Sequence, residues 1–106
     1  MPMTIAELRL IGVRPPRKRF PIVIRVGRPV KVRRGGSSCA ACDVAFRGIH
    51  NKVDNIVGED IFQALTLATE WVRLKLLAFV KNGGVLLFRD GKTKFDFGPY
   101  FPRLDA

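Results

Sequence analysis

From Thr4 to Gly12 the chain alternates Ala6, Leu8 and Leu10 with Glu7, Arg9 and Ile11. That period of two puts one apolar row on a single side of a half-buried strand. Arg14-Pro15-Pro16-Arg17-Lys18-Arg19 must be a loop, because paired prolines cannot donate to a ladder. A second strand runs from Phe20 to Val26, with Ile22, Ile24 and Val26 on one face and Val23 and Arg25 on the other. Gly27-Arg28-Pro29 predicts a bend or bulge, after which Val30-Lys31-Val32 continues along an edge. Arg34-Gly35-Gly36-Ser37-Ser38 has the composition of a flexible loop. Cys42, Val44 and Phe46 against Asp43, Ala45 and Arg47 form a third strand ending at Gly48. A short fourth strand over Val53 to Val57 is weakened by Asp54 and Asn55, both poor strand formers.

The pattern then changes period. Ile61, Leu65, Ala68, Val72, Leu76 and Phe79 recur at three and four, one face of a helix that Leu67, Trp71 and Leu74 widen. Asp60 is placed to cap the first turn, with Gln63 three residues on to reach back, and Asn82-Gly83-Gly84 ends the helix. Val85 to Phe88 and Thr93 to Phe97 flank Arg89-Asp90-Gly91-Lys92, where Asp-Gly predicts a two-residue hairpin turn that puts Leu86 and Phe88 on one face with Thr93, Phe95 and Phe97. Gly98-Pro99-Tyr100-Phe101-Pro102 reads as an irregular strap over the core. The expected fold is a single α+β domain: an antiparallel sheet of about four to six strands, one long amphipathic helix packed on one face, and a C-terminal β-hairpin.

Gly58-Glu59-Asp60-Ile61-Phe62-Gln63-Ala64-Leu65-Thr66-Leu67-Ala68 resembles the G-x-D-x-x-Q-A-L-x-L-A signature of a group of small bacterial proteins of unknown function. Ile5-Ala6-Glu7, Val26-Gly27-Arg28-Pro29 and Cys42-x-Val44-x-Phe46-x-Gly48 match the same group in the same order. The resemblance spans roughly residues 4 to 98. This chain departs from it with Ile-Phe where Ser-Leu is usual, and with shorter, more basic loops. It implies a fold and a bacterial origin but no activity. Its matching residues have folding roles: Asp60 and Gln63 satisfy helix amides, Ala64 and Ala68 let the helix approach the sheet, and Gly27 and Gly48 permit strand bends.

Charge adds what the pattern does not. The 106 residues carry 19 Lys and Arg against 9 Asp and Glu, a net +10. Met1 to Val53 hold twelve of the basic residues and only Glu7 and Asp43 as acids, whereas the remainder is balanced. A one-sided field of this kind draws polyanions. If the helix covers the Ile22, Ile24 and Val26 side, Arg9, Arg25 and Arg47 point to the uncovered side, beside Arg17-Lys18-Arg19 and Lys31, Arg33 and Arg34. These nine residues are the candidate polyanion-binding set, able to follow a phosphate backbone by counterion release. Phe20 is the sole aromatic before Phe46, which disfavours base stacking on single strands.

Catalytic chemistry finds little support. Cys39-Ala-Ala-Cys42 has C-x-x-C spacing but runs into a strand, where odd spacing points the two thiols to opposite faces. Asp43 and the single histidine, His50, complete four ligands only on paper, so no metal and no cofactor is expected. Cys42 reads as small apolar filling, Cys39 as a loop thiol, and His50 as an exposed turn residue. No phosphate-cradling glycine motif is present; Lys31-Val-Arg-Arg-Gly-Gly-Ser-Ser lacks the helix that should follow. No catalytic residue is assigned. No apolar run approaches about 18 residues and the first residues lack the order of a secretory signal, so the expectation is a cytoplasmic protein without a membrane span. Two readings follow: a non-enzymatic interaction module that docks a protein partner or a second copy through an open sheet face or edge, or a binder of duplex nucleic acid through the basic stripe.

Overall fold

The computed structural model describes residues 3–103. Strand β1 (Thr4–Arg14) and β2 (Lys18–Gly27) form a long antiparallel hairpin, with Leu10 opposite Ile22 and Leu8 opposite Ile24. β4 (Ser37–Arg47) lies against the other edge of β2, pairing Ile24 with Phe46 and Val26 with Val44. β3 (Val30–Arg34) then continues along that same edge of β4, pairing Val30 with Ala41. Four steps from Val26 to Val30 therefore face three from Val44 to Ala41, which is the bulge expected at Gly27-Arg28-Pro29. β5 (Val53–Gly58) pairs with the opposite edge of β4, and β6 (Val85–Leu87) with the free edge of β1. The result is a six-stranded, curled antiparallel sheet with one long helix, α1 (Ile61–Lys81), packed against it.

The core follows the strand parity. Leu10, Ile22, Ile24, Val26, Ala40, Cys42, Val44 and Phe46 point to the helix side and are buried with Ala64, Ala68, Val72, Leu76 and Phe79 of α1. α1 begins as its residues predict: the Asp60 carboxylate accepts from the Gln63 amide at 2.7 Å. Gln63 Oε1 reaches one residue further than a simple capping box and accepts from the Glu59 amide at 2.6 Å. The buried stripe keeps Ala68, Val72, Leu76 and Phe79 of the expected face and adds Ala64, which with Ala68 lets the helix approach the sheet as its residues predict. Ile61, Leu67 and Leu74 are exposed, while Ala64 and Ala68 are wholly buried. A Cβ at Gly58 would meet the Ala64 backbone nitrogen at 2.5 Å, so helix and sheet touch where only small residues fit.

Four further expectations change. Of Arg14 to Arg19 only Pro15, Pro16 and Arg17 turn between strands, because Arg14 pairs with Lys18 and Val13 with Arg19. The segment Arg34–Ser38 is not a flexible loop: Arg34 pairs with Ser37 across Gly35-Gly36, both at positive φ (+59° and +81°), a two-residue hairpin turn. The third strand therefore starts at Ser37 rather than Cys42, and Cys39 lies within it. The C-terminal hairpin keeps its register, with Leu87 opposite Lys94, but its second strand is reduced to that bridge, the Phe95 amide donating to Leu86 O and the Phe88 amide donating to Thr93 O. The Asp90 carboxylate accepts from the Lys92 and Thr93 amides at 2.9 Å, and so closes a wider turn than Asp-Gly alone predicts. Residues after it form a short helical turn, α2 (Phe97–Tyr100), whose Phe97 joins Phe95 and Phe88 in an aromatic cluster at one end of the sheet.

Candidate functional site

Two places in the fold bring chemistry-bearing side chains together. The first is the sheet face that α1 leaves uncovered. Residues directly opposite in a ladder share a face, so the pairing Arg9–Val23–Arg47 and the pairing Glu7–Arg25 place all four charged residues on that side. Arg19 joins them opposite Val13, and Arg34 opposite Ser37. Between them the floor is aliphatic: Val23, Ala41 and Leu87 are buried, Ile11, Val30 and Val32 half-buried, and Val53 is 59% exposed.

The nine basic residues do not form one stripe. Arg9, Arg19, Arg25, Arg34 and Arg47 occupy the uncovered face, whereas Lys18, Lys31 and Arg33 pair with Arg14, Ala40 and Ser38 and so lie on the helix side of the sheet. Arg17 sits in the β1–β2 turn. A bare cationic surface is also not what the face presents. Glu7 accepts from the Nε atoms of both Arg9 and Arg25 at 2.7 Å. Hydrogen bonds from Arg9 and then Arg25 lower the Glu7 carboxyl to about 2, so it stays ionised. Arg34 donates to Asn55 Oδ1, and Asn55 in turn donates to Asp43 Oδ1, both at 2.8 Å. Arg19 donates to the Gly91 carbonyl at 2.7 Å. Arg47 has no carboxylate partner among the described residues.

The second place is on the helix side, and the sequence reading passed over it. His50 is not an exposed turn residue: its side chain is 18% exposed, and Nε2 lies 2.6 Å from Asp54 Oδ2. The same oxygen accepts from the indole Nε1 of Trp71 at 2.7 Å. Burial acts to raise the Asp54 pKa, but the hydrogen bonds from Trp71 and His50 outweigh it and hold the carboxyl below its usual range. His50 and Asn51 both adopt positive φ (61° and 50°), the tight β4–β5 turn that tips the imidazole under the helix and edge-on to Phe46. Lys75, one turn beyond Trp71, places Nζ 4.5 Å from the indole centroid. Only the four-residue spacing of His50 and Asp54 was visible in the chain; Trp71 arrives from another element.

The two thiols are on opposite faces, as the strand spacing predicts. Cys42 is buried and donates to the Gly27 carbonyl at 3.3 Å, and burial, then Asp43, pushes its pKa up. Cys39, half-buried, lies on the uncovered face. Asp43 is engaged by Asn55 and His50 by Asp54, so the four paper ligands do not converge, and no group of three metal-ligating side chains occurs among the described residues. No helix among the described residues is long and apolar enough to cross a membrane. No protein-family model, curated protein or solved structure matches the chain.

Proposed function

We propose that this protein is a non-enzymatic, cytoplasmic interaction module that docks an acidic protein surface on its uncovered sheet face. The observation that carries the reading is the make-up of that face: the exposed Val53 and the half-buried Ile11, Val30 and Val32, over buried Val23, Ala41 and Leu87, bordered by Arg9, Arg25, Arg34 and Arg47. An apolar centre with an arginine border is the pattern of protein interfaces. A phosphate backbone offers nothing to the aliphatic floor, which a protein surface can cover. A second copy is disfavoured by charge, since a chain of net +10 would bring its arginines against their own images. An acidic partner would find Arg47 without a carboxylate among the described residues, beside Arg9 and Arg25, whose charge Glu7 offsets only in part.

A photo-crosslinking residue at Val53, on the face, compared with one at Leu74, on the outer side of α1, tests the reading in cells. The expected result is an adduct with an acidic protein at Val53 alone. The purified adduct partner then binds Arg9→Gln/Arg25→Gln/Arg47→Gln at least about tenfold more weakly than the unaltered protein. Binding of a mixed-sequence duplex at about 50 mM salt, with affinity falling steeply as salt rises, would establish the nucleic-acid reading in its place. Concentration-dependent self-association that the triple variant abolishes would establish docking of a second copy.

A further inference from the structure

Beside the His50 cluster lies a depression of about 370 Å³, between the end of β1, the β4–β5 turn and the last turns of α1. It falls within the size range of small-molecule sites. Its floor is apolar, from Ile49 and Phe79, and its polar side chains are Arg14, His50, Lys75 and Asn82. Lys75, Phe79 and Asn82 are spaced four and three along α1, so one stripe of the helix forms a wall. No carboxylate lines it among the described residues.

The geometry points to a binding site for a small organic anion, with an oxyanion head held by Arg14 and Lys75 and an apolar body on Phe79 and Ile49. Both cations stand on rings and neither makes a salt bridge among the described residues: the Arg14 guanidinium carbon stands 4.6 Å from the Phe20 centroid and 5.4 Å from that of Phe79, and Lys75 lies on Trp71, where the Asp54 charge also reaches it. Cations ordered by aromatic faces keep their donors available while losing little freedom on binding. The helix end beside the depression does not oppose an anion through bare carbonyls. The amides of Asn82, Gly84 and Gly83 occupy the carbonyls of Ala78, Phe79 and Val80. The site lies on the helix side, apart from the docking face, so it stands or falls independently of that reading.

Trp71 is the chain's single tryptophan and its ring carries Lys75, so its fluorescence reports on the site directly. Four probes separate head from body: phenyl phosphate, benzoate, inorganic phosphate and benzyl alcohol. Phenyl phosphate or benzoate should saturate the Trp71 signal with Kd of about 0.1–1 mM, and the tighter of the two identifies the head group. Inorganic phosphate and benzyl alcohol should bind at least about tenfold more weakly. Lys75→Gln and Arg14→Gln should each weaken the anion at least about tenfold, while Lys81→Gln, on the exposed end of α1, leaves it within about twofold. Nitrogen-15 NMR of the backbone around Arg14 and Ile49 gives the same titration should Lys75→Gln alter the fluorescence itself. Benzyl alcohol binding as tightly as the anions, no saturation by either anion below about 10 mM, or Lys81→Gln weakening the anion as much as Lys75→Gln would each overturn the site.

Discussion

Asp54→Ala removes an acceptor shared by Trp71 Nε1 at 2.7 Å and His50 Nε2 at 2.6 Å. A hydrogen bond to a charged acceptor contributes about 1.5–3 kcal/mol when buried. The Asp54 side chain is 23% exposed, which places the Trp71 bond at the lower end of that range. With the His50 contact added, the loss comes to about 2–3 kcal/mol. At roughly 4–8 °C per kcal/mol for a domain near this size, the melting temperature should drop by about 10–20 °C. Urea unfolding followed by far-ultraviolet circular dichroism measures the loss without relying on Trp71. Because Trp71→Phe deletes the same N–H from the other side, the two substitutions should couple by about 1–2 kcal/mol in a double-mutant cycle. Asp54→Asn, which keeps an acceptor, should lose about half as much as alanine. Additivity of Asp54→Ala and Trp71→Phe within about 0.3 kcal/mol would refute the reasoning, since groups that share no interaction add.

Gly58→Ala should destabilise by about 1–3 kcal/mol in the same assay, because its new methyl meets backbone of α1, whereas Gly36→Ala, with open space but φ of +81°, should lose about 1 kcal/mol. Glu7 and Glu70 are lowered to about 2, the first by Arg9 and then Arg25, the second by Arg73, and Asp54 is lowered as well. Depressed folded values mean that these carboxyls support folding above the ordinary 4.5 of a glutamate and cease to as pH falls through their folded values. Stability should therefore stay level from pH 7 to about 5 and decline between about 4.5 and 2, with a shallower decline in Glu7→Gln. A disulfide-exchange reagent should modify Cys39 rapidly and Cys42 only on unfolding; Cys39→Ser should abolish the fast phase, and a fast phase surviving in that variant would contradict the burial of Cys42.

The elements whose residues repeat at two or at three and four were legible in the chain: β1, β2, the Gly27-Arg28-Pro29 bulge, β5 and α1 with both its caps. The parity argument that sends Arg9, Arg25 and Arg47 to the uncovered face also holds, because alternation needs no knowledge of partners. What could not be read depends on register or on contacts between distant segments. Ser37 to Ala41 are small and do not alternate in polarity, so the start of β4 is set by its pairing with Val30–Arg34 and not by its own pattern. The pattern marks Ala64 as a point of close approach, but that it seats against Gly58, on another element, is a contact it does not name. The neutralisation of Arg25 by Glu7 needs the exact length of the β1–β2 turn, since a slip by one residue would carry Glu7 to the other face. His50, Asp54 and Trp71 meet only once the helix is laid on the sheet.

The docking face is tested most directly by comparing two variants of equal charge against the partner trapped at Val53. Arg9→Gln/Arg25→Gln/Arg47→Gln strips the uncovered face; Lys18→Gln/Lys31→Gln/Arg33→Gln removes the same three charges from the helix side. The first should raise the Kd at least about tenfold, and the second should leave it within about twofold of the unaltered protein. Equal weakening by both variants would show that only net charge matters, and would contradict docking on this face.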